Sequence, residues 1–525
     1  MSASTLSADP GGFAKRLASM RSAASSRWWA LVAVSLAAFM TYLDNNIVNV
    51  AIPTIQRSLH LSVSGLEWVV SSYLLTLAAL LLVGGRLADV YGRRRLLLLG
   101  LAVFTLSSLA AGLASSGGML IASRAIQGIG AALLMPPTLA IIVATFTNAR
   151  ERNMAVGIWA AVGALALALG PVLGGLISQH LRWGWIFLIN VPVGVITFVI
   201  AVLSVTESRA SSADRRLDVP GLVTSAVSLF ALTYALIEGN VSGWTAPLIL
   251  GAFALAAVAG AAFLAIESRT AHPMVPLSVF RRREFSGGTG TMMIWAFGIL
   301  GIYFFTSLYL QLTLGFSPTK AGLAFVPMAL CVAVFAAIAP AVEARAGSHR
   351  TVAFGMLLMV VGLALFARLG LRVGYADLLP GFMLFGAGAG LMNVPLTNAV
   401  MHVTPQARAG IASALLNASR EVAGLLGITV IGAVLRTRQS AALRAGAGPV
   451  HAFVDGYHLG LLVTIAVLAA GVLISYVTLR PRSGAAAPAA GGAAAGELAT
   501  VDELAGELMV DDELAVSANR ASGQE

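Results

Sequence analysis

Apolar stretches of about twenty residues alternate with short polar connections along most of the chain. A stretch of about that length lets an α-helix cross the hydrocarbon core of a bilayer. Fourteen such stretches predict fourteen membrane-spanning helices, at about residues 28–51, 66–88, 96–114, 117–145, 154–178, 185–205, 219–237, 247–266, 285–310, 319–341, 351–370, 376–400, 407–434 and 456–479. We therefore expect an all-α polytopic membrane protein, whose first apolar stretch is too long for a signal peptide.

The composition supports the same class. Of 525 residues, 58% are hydrophobic and 11% are charged, whereas about a quarter of an ordinary soluble domain is charged. This excludes an ordinary soluble globular protein. The single cysteine, Cys331, excludes intramolecular disulfides and cysteine-based zinc sites.

The distribution of basic residues predicts the orientation in the membrane. With fourteen spans, the loops on the side of both termini contain 22 Lys and Arg residues and the opposite loops contain 8. Because cytoplasmic loops carry an excess of bases, we expect both termini in the cytoplasm; only the loop from Arg436 to Arg444 disagrees. The net charge of +10 then reflects topology, and we expect no nucleic-acid partner.

The chain also contains an internal repeat. A shift of about 256 residues places spans 1 to 5 on spans 9 to 13. Parallel repeats of this kind are typical of transporters that rock two bundles around a central site. The predicted divisions are a cytoplasmic N-terminal segment (1–27), a six-helix bundle (28–205), an inserted helix pair (206–270), a second six-helix bundle (271–480) and a disordered acidic cytoplasmic tail (481–525).

Ionisable residues inside predicted spans are functional candidates because they are costly in hydrocarbon. Span 1 contains Asp44, and desolvation favours the neutral, protonated form of a carboxyl group. We interpret Asp44 as a proton carrier; the alternatives are a place at the membrane surface or a structural pairing with an arginine. Asn45 and Asn49 follow at helical spacing and are candidates to line a substrate cavity, although hydrogen bonding between helices explains them equally well.

Two further spans contain buried charges. Span 4 contains Arg124, for which Asp44 is a candidate partner, with Gln127 three residues later as a candidate cavity residue. Span 13 contains the adjacent pair Arg420 and Glu421, and adjacent helical residues do not face each other. Glu421 is a second candidate proton site, with a structural role as the alternative, and Arg420 is a candidate cavity residue.

Glycines mark two further segments. In the stretch from Gly84 to Arg95, between spans 2 and 3, Gly85 and Gly92 permit a tight turn and close helix approach, Asp89 can pair with a base or cap a helix end, and the following arginines lie at the lipid headgroups. Span 5 places Gly163, Gly170 and Gly174 on one helical face, which permits close packing, and Pro171 supplies a kink.

Span 9 is rich in aromatic residues. Trp295, Phe305 and Tyr309 share a helical face and are candidates to stack on an apolar ligand; contact with the core or with lipid is the alternative. The two lysines lie outside any GxxxxGK[ST] sequence, so the chain has no P-loop for ATP. No histidine pair has the spacing of HExxH, and we expect no metal or organic cofactor.

These segments together resemble the major facilitator superfamily, and specifically its fourteen-span drug:proton antiporters. GRLADVYGRRR resembles the motif between helices 2 and 3, SRAIQGIGAA the helix 4 motif, and the stretch ending in GPVLGG the helix 5 antiporter motif. LDNNIVNVAIP is similar to the helix 1 signature of the subfamily, and RWGWIFLINVPVG to its entrance to helix 6.

The resemblance implies a major facilitator fold of two six-helix bundles with a central two-helix insertion. It implies that Asp44 is an essential acid, that Arg124 assists proton transfer and that Asp89 with Arg93 locks the cytoplasmic gate. The predicted gating residues of this motif are Gly85, Asp89, Gly92, Arg93 and Arg94. The Gly170–Pro171 stretch would set the direction of exchange.

We expect a monomeric exporter in the cell membrane that moves an apolar or amphiphilic toxic compound, such as an antibiotic, in exchange for protons by alternating access. The proton is then the coupling ion. Nutrient uptake by proton symport and a polytopic membrane enzyme are the alternatives; the helix 5 pattern disfavours the first, and the lack of a visible catalytic constellation disfavours the second.

Overall fold

A computed structural model describes residues 10–209, 218–270, 273, 275, 277–370, 373–402 and 409–480. Within these ranges, the chain forms α-helices joined by short connections. The helices are α1 (Pro10–Leu59), α2 (Val63–Tyr91), α3 (Arg93–Gly112), α4 (Gly117–Thr145), α5 (Ala149–His180), α6 (Trp185–Leu188), α7 (Asn190–Ser204), α8 (Val219–Ser242), α9 (Pro247–Arg269), α10 (Arg283–Leu308), α11 (Pro318–Ala324), α12 (Val326–Ala346), α13 (Ser348–Phe366), α14 (Tyr375–His402), α15 (Ala409–Arg444) and α16 (Pro449–Thr478).

Fourteen helical segments are long and apolar enough to cross a membrane, which confirms the predicted number of spans. Two of these spans are interrupted. The sixth divides into α6 and α7, with Pro192 in the first turn of α7, and the tenth divides into α11 and α12, with Pro327 in the first turn of α12. Proline has no N–H group to donate within a helix, and this is no disadvantage in the first turn, where the N–H group would have no partner within the helix.

Helix α1 begins at Pro10, and its membrane-spanning part begins at Ser26, close to the predicted start of the first span. One predicted boundary was wrong. Helix α15 continues to Arg444, so the bases assigned to a loop lie on a helix. Two of them have acidic partners, because Arg436 pairs with Glu67 and Arg438 with Asp455. The predicted acidic tail at 481–525 lies outside the described residues.

The helices of the N-terminal half (α1–α7) and of the C-terminal half (α10–α16) pack in the same pattern. Helices α2 and α3 pack on α4 as α12 and α13 pack on α14. Helix α1 packs on α5 as α10 packs on α15, and α7 packs on α1 and α3 as α16 packs on α10 and α13. This is the repeated six-helix architecture expected from the sequence.

The two inserted helices form an antiparallel pair beside the halves. Helix α8 packs on α9 and also contacts α2 of the N-terminal half and α15 of the C-terminal half. We call the end of the bundle at Tyr91 and Arg93 the basic face, and the end at Leu59 and Val63 the opposite face.

Candidate functional site

Asp44 lies at the centre of a buried polar cluster in the N-terminal half. Its Oδ2 atom pairs with Nη1 of Arg124, and neither side chain is exposed (0% each). Its Oδ1 atom accepts hydrogen bonds from Nε2 of Gln127 at 2.8 Å and from Nδ2 of Asn190 at 3.0 Å. The carboxylate is therefore bound on both oxygens by groups from α1's neighbours α4 and α7.

Arg124 has several further contacts that fix its position. Its Nη1 atom donates to Oε1 of Gln127 at 2.7 Å, and its Nε atom donates to the carbonyl of Val69 at 3.2 Å. The guanidinium carbon lies 4.2 Å from the centre of the Tyr73 ring, as in a cation–π contact. Its Nη2 atom and the Tyr73 hydroxyl are buried without a hydrogen-bond partner among the described residues.

The cluster combines an acid with a cation and neutral donors, and the two charged side chains are fully buried. A buried ion pair loses its solvation, so it depends on good geometry and additional hydrogen bonds. A proton arriving at Asp44 would neutralise the carboxylate and weaken its attraction for Arg124. The arrangement can therefore couple a proton to the packing of α1 against α4.

Sequence reasoning missed two members of this cluster. Asn190 is an amide within the apolar stretch WIFLINVPVG, and a polar residue in a span could have marked it as a candidate. Ser108, whose Oγ atom accepts a hydrogen bond from Gln127 at 2.8 Å, had no such signal. Serines in membrane helices commonly bond their own backbone, and Ser108 also donates to the Phe104 carbonyl at 2.7 Å.

The two candidate cavity amides of α1 have different environments. Asn45 is half-buried, whereas Asn49 is buried and donates from Nδ2 to the carbonyl of Asn45 at 3.2 Å. The backbone carbonyl of Asn49 accepts a hydrogen bond from Ser307 of α10 at 2.8 Å. Asn49 thus lies where α1 meets the C-terminal half.

The basic face holds the predicted gating residues. Gly92 joins α2 to α3 with φ of 117°, a backbone conformation that favours glycine. Asp89 pairs with Arg93 at 3.0 Å, and Nη1 of Arg93 donates to the Ala140 carbonyl of α4 at 3.4 Å. The ion pair therefore fastens the end of α2 to α4.

A further acid at this face was not expected from the sequence. Glu207, which follows α7, accepts hydrogen bonds from the backbone N–H groups of Arg94 at 3.1 Å and Arg95 at 3.3 Å. An acid at a helix N-terminus satisfies unpaired N–H groups and complements the helix dipole. Nη2 of Arg94 also donates to the Val202 carbonyl of α7 at 2.5 Å. Together these hydrogen bonds join the start of α3 to the end of α7.

The close approach in this segment occurs at Gly84, and the prediction of Gly85 for that role was wrong. A Cβ atom at Gly84 would overlap the Ala132 carbonyl of α4, whereas one at Gly85 would be in ordinary contact, 3.5 Å from Cβ of Pro136. Successive residues of a helix point in different directions around its axis, and Gly84 is the one of the two glycines that faces the α4 backbone.

We expect Gly84→Ala to destabilise the protein strongly and Gly85→Ala to have little effect. The first change forces α2 away from α4, while the second adds a residue that favours helix by about 1 kcal/mol. Thermal unfolding in detergent, followed by size-exclusion chromatography, compares the two neighbours directly. Equal melting temperatures for the two variants would contradict the assignment.

The glycines of α5 serve two different contacts. Those predicted to share a face all meet α1, because a Cβ atom at Gly163 would lie 3.2 Å from the Tyr42 ring, one at Gly170 2.6 Å from Cβ of Asn46, and one at Gly174 against the Ile47 carbonyl. Pro171 and Gly175 instead meet α11 of the other half. The backbone of Pro171 lies against Gly322, and Gly175 lies against the Pro318 carbonyl.

Arg420 and Glu421 bind each other directly, contrary to the expectation that each needs a different partner. The Nη2 atom of Arg420 lies 2.8 Å from Oε1 of Glu421. The long arginine side chain folds back onto its neighbour, which short side chains at adjacent positions could not do. The guanidinium also lies 6.0 Å from the centre of the Tyr42 ring of the N-terminal half.

The candidate aromatic residues of span 9 differ in exposure. Trp295 is half-buried, whereas Phe305 and Tyr309 are buried. Tyr309 stacks on Tyr457 with 4.9 Å between ring centres and donates its hydroxyl to the Gly370 carbonyl at 2.6 Å. A cavity of about 10 Å³ beside α10 is lined by other residues, including Tyr303 and Thr306.

The halves are closed against each other toward the opposite face. Gln311 of the chain after α10 donates to the Val50 carbonyl at 2.9 Å. The backbone N–H of Thr319 donates to Oε1 of Gln179 at 3.1 Å, which joins α11 to α5. The third connection is an ion pair between Glu67 of α2 and Arg436 of α15, with 3.0 Å between the charged atoms.

A family model described as Major Facilitator Superfamily matches residues 34–428. The multidrug resistance protein Stp of Mycobacterium tuberculosis (strain CDC 1551 / Oshkosh) is 37% identical over 415 residues, or 79% of this chain and 76% of Stp. The tetracenomycin C resistance and export protein of Streptomyces glaucescens is 36% identical over 78% of this chain and 76% of its own. The puromycin resistance protein pur8 of Streptomyces alboniger is 34% identical over 88% of this chain and 93% of its own.

Solved structures share the fold at low identity. A bacterial homologue of the human lysosomal transporter Spinster, inward-facing and unoccupied, has a TM-score of 0.61 and 17% identity, and covers 87% of this chain and 97% of that chain. An auto-inhibited peptide transporter of the POT family has a TM-score of 0.65 and 15% identity, and covers 89% and 99%.

Proposed function

Because the chain belongs to the major facilitator superfamily and is a multi-pass membrane transporter, we propose that it exports an apolar or amphiphilic antibiotic in exchange for protons. Relatives that carry the words resistance, multidrug or export in their names support a drug as the cargo. The observation that carries the proposal is the fully buried Asp44–Arg124 pair, since ionisable groups inside membrane spans are costly and typically mark proton or ion pathways.

The proposed coupling passes through α1. Protonation of Asp44 neutralises the partner of Arg124 and loosens α1 from α4 and α7. Helix α1 also contacts the C-terminal half, through Ser307 on the Asn49 carbonyl and Gln311 on the Val50 carbonyl. A change in how α1 packs therefore reaches the closed side of the transporter, where the halves have to separate during alternating access.

We place both termini in the cytoplasm, with the basic face inward. The arginines of the α2–α3 connection and of the start of α5 support this orientation. The structure is then closed toward the outside. Two of the bases that disagree with this orientation, Arg436 and Arg438, are paired with acids and contribute less net charge to their side.

Transport into inside-out vesicles tests the proposal. A growth screen of a host that expresses the protein, with puromycin, lincomycin and ethidium as probes, first identifies a compound to which it confers resistance. We expect vesicles to accumulate that compound when their interior is acidified, and a protonophore to abolish the accumulation. Accumulation that is the same with and without the proton gradient or the protonophore would refute proton coupling. Resistance without any transport would refute export.

A further inference from the structure

Glu67 and Arg436 form a buried ion pair between the halves that no motif predicted. Glu67 lies near the start of α2 and is 0% exposed, and Arg436 lies near the end of α15 and is 6% exposed. Their charged atoms are 3.0 Å apart. Gly432, one helical turn before Arg436, leaves the space that the Glu67 carboxylate occupies, because a Cβ atom there would overlap it.

One turn of the inserted helix α8 binds this junction from the side. The Leu236 carbonyl accepts a hydrogen bond from Nη2 of Arg436 at 3.3 Å, and Oε1 of Glu238 accepts one from the indole of Trp68 at 2.8 Å. Asn240 donates to the Ala433 carbonyl at 2.9 Å and accepts from the Thr437 hydroxyl at 2.9 Å. The same turn of α8 is therefore bonded to α2 of one half and to α15 of the other.

Each charge of the pair depends on the other while the halves are together. A single buried charge without its partner is strongly unfavourable, whereas removal of both charges is close to neutral. The facing charges on the packed helices are Arg436 on α15 and Glu238 on α8, and the latter is bound to Trp68. When the opposite face opens, α2 and α15 separate, and water can then solvate both charges.

We propose that Glu67 and Arg436 are a lock that holds the opposite face closed, and that the inserted helix pair acts as a clasp across it. The inference rests on alternating access in the proposed function and does not depend on the identity of the cargo or on protons. It gives the two additional helices a role, because α8 bridges the halves at the point where they separate.

A cross-link remote from the lock reports closure. In a Cys331→Ala background, Gln179→Cys and Thr319→Cys place one thiol on α5 and one on α11, at positions now joined by a hydrogen bond of 3.1 Å. A short bifunctional thiol reagent joins them when the opposite face is closed. The cross-linked fraction is measured on protein that elutes as a monodisperse peak, so that misfolded protein is excluded.

We expect Glu67→Gln or Arg436→Gln to lower the cross-linked fraction by about threefold or more, because each leaves a lone charge in the closed state. The double variant Glu67→Gln, Arg436→Gln should return most of the way to the parent. Asn240→Ala, which removes the two hydrogen bonds that the Asn240 side chain makes with α15 and leaves the one at the Leu236 carbonyl, should lower the fraction by less than either single charge variant.

Two matched controls keep the test specific. Arg438→Gln removes a base two residues along the same helix, whose partner Asp455 lies within the same half. Glu343→Gln removes a half-buried acid whose partners, Ser348 and Asn398, also lie within one half. Both controls should match the parent. Single lock variants that cross-link like the controls, or a double variant no better than the singles, would overturn the proposal.

The outcome is separable from that of the proposed function. Failure of gradient-driven accumulation in vesicles would refute proton coupling and leave the cross-linking pattern unaffected. An unchanged cross-link in the lock variants of a protein that still transports would refute the lock alone.

Discussion

Asp44→Asn is expected to reduce gradient-driven accumulation in inside-out vesicles to the level of vesicles without the protein. The amide has the shape of the protonated carboxyl group but can neither take up nor release a proton. Its oxygen can still accept a hydrogen bond from Arg124, Gln127 or Asn190, so the cluster keeps much of its geometry. The loss should therefore appear in coupling and not in folding.

Exchange of labelled for unlabelled compound across the membrane distinguishes these two losses. Exchange needs the halves to alternate but needs no proton, so we expect Asp44→Asn to retain it. Asp455→Asn, which changes a half-exposed acid paired with Arg438, is the control and should keep both activities. Undiminished gradient-driven accumulation by Asp44→Asn would refute the proposal that Asp44 binds the coupling proton.

Arg124→Gln is expected to have the largest effect on stability. The change leaves Asp44 buried with neutral donors and no cation, and loss of one partner of a buried pair costs about 3–5 kcal/mol. It also removes the bond to the Val69 carbonyl and the stacking on Tyr73. We expect a lower melting temperature in detergent and transport at background.

The double variant Asp44→Asn, Arg124→Gln shows whether the pair is the cause. With both charges removed, no ionised group is left unpaired, so its melting temperature should exceed that of Arg124→Gln alone. Transport should stay at background, because the acid is absent. If the double variant melts no higher than Arg124→Gln, the destabilisation arises from lost packing of the arginine side chain and not from the unpaired carboxylate.

The sequence was informative wherever the membrane imposed a simple rule. Apolar length predicted fourteen spans, because every backbone polar group must be satisfied within the hydrocarbon. A charge in a span is costly enough to stand out, so Asp44, Arg124 and Glu421 could be singled out from one sequence. The small residues on one face of α5 similarly predicted a close contact, and that face does meet α1.

The sequence was uninformative where the role of a residue depended on how deep it lies in the bundle or on which way it faces around its helix. Glu67 lies at the start of its predicted span and Arg436 was assigned to a loop, so neither looked like a buried charge. Gly84 and Gly85 are indistinguishable in a pattern, and only the direction of the α4 backbone separates them. Ser108 lies on α3 and belongs to the cluster because Gln127 of α4 donates a hydrogen bond to it. Nothing in the sequence around Ser108 marked it as a functional residue.

By itself, therefore, the sequence determined how many times the chain crosses the membrane, which family it resembles and which charges are costly. The tertiary structure decided which of these charges meet, because partners such as Asp44 and Arg124 or Glu67 and Arg436 are far apart in the chain and are paired only by helix packing. It also decided which side of the transporter is closed, since that depends on contacts between two halves whose sequence patterns are alike.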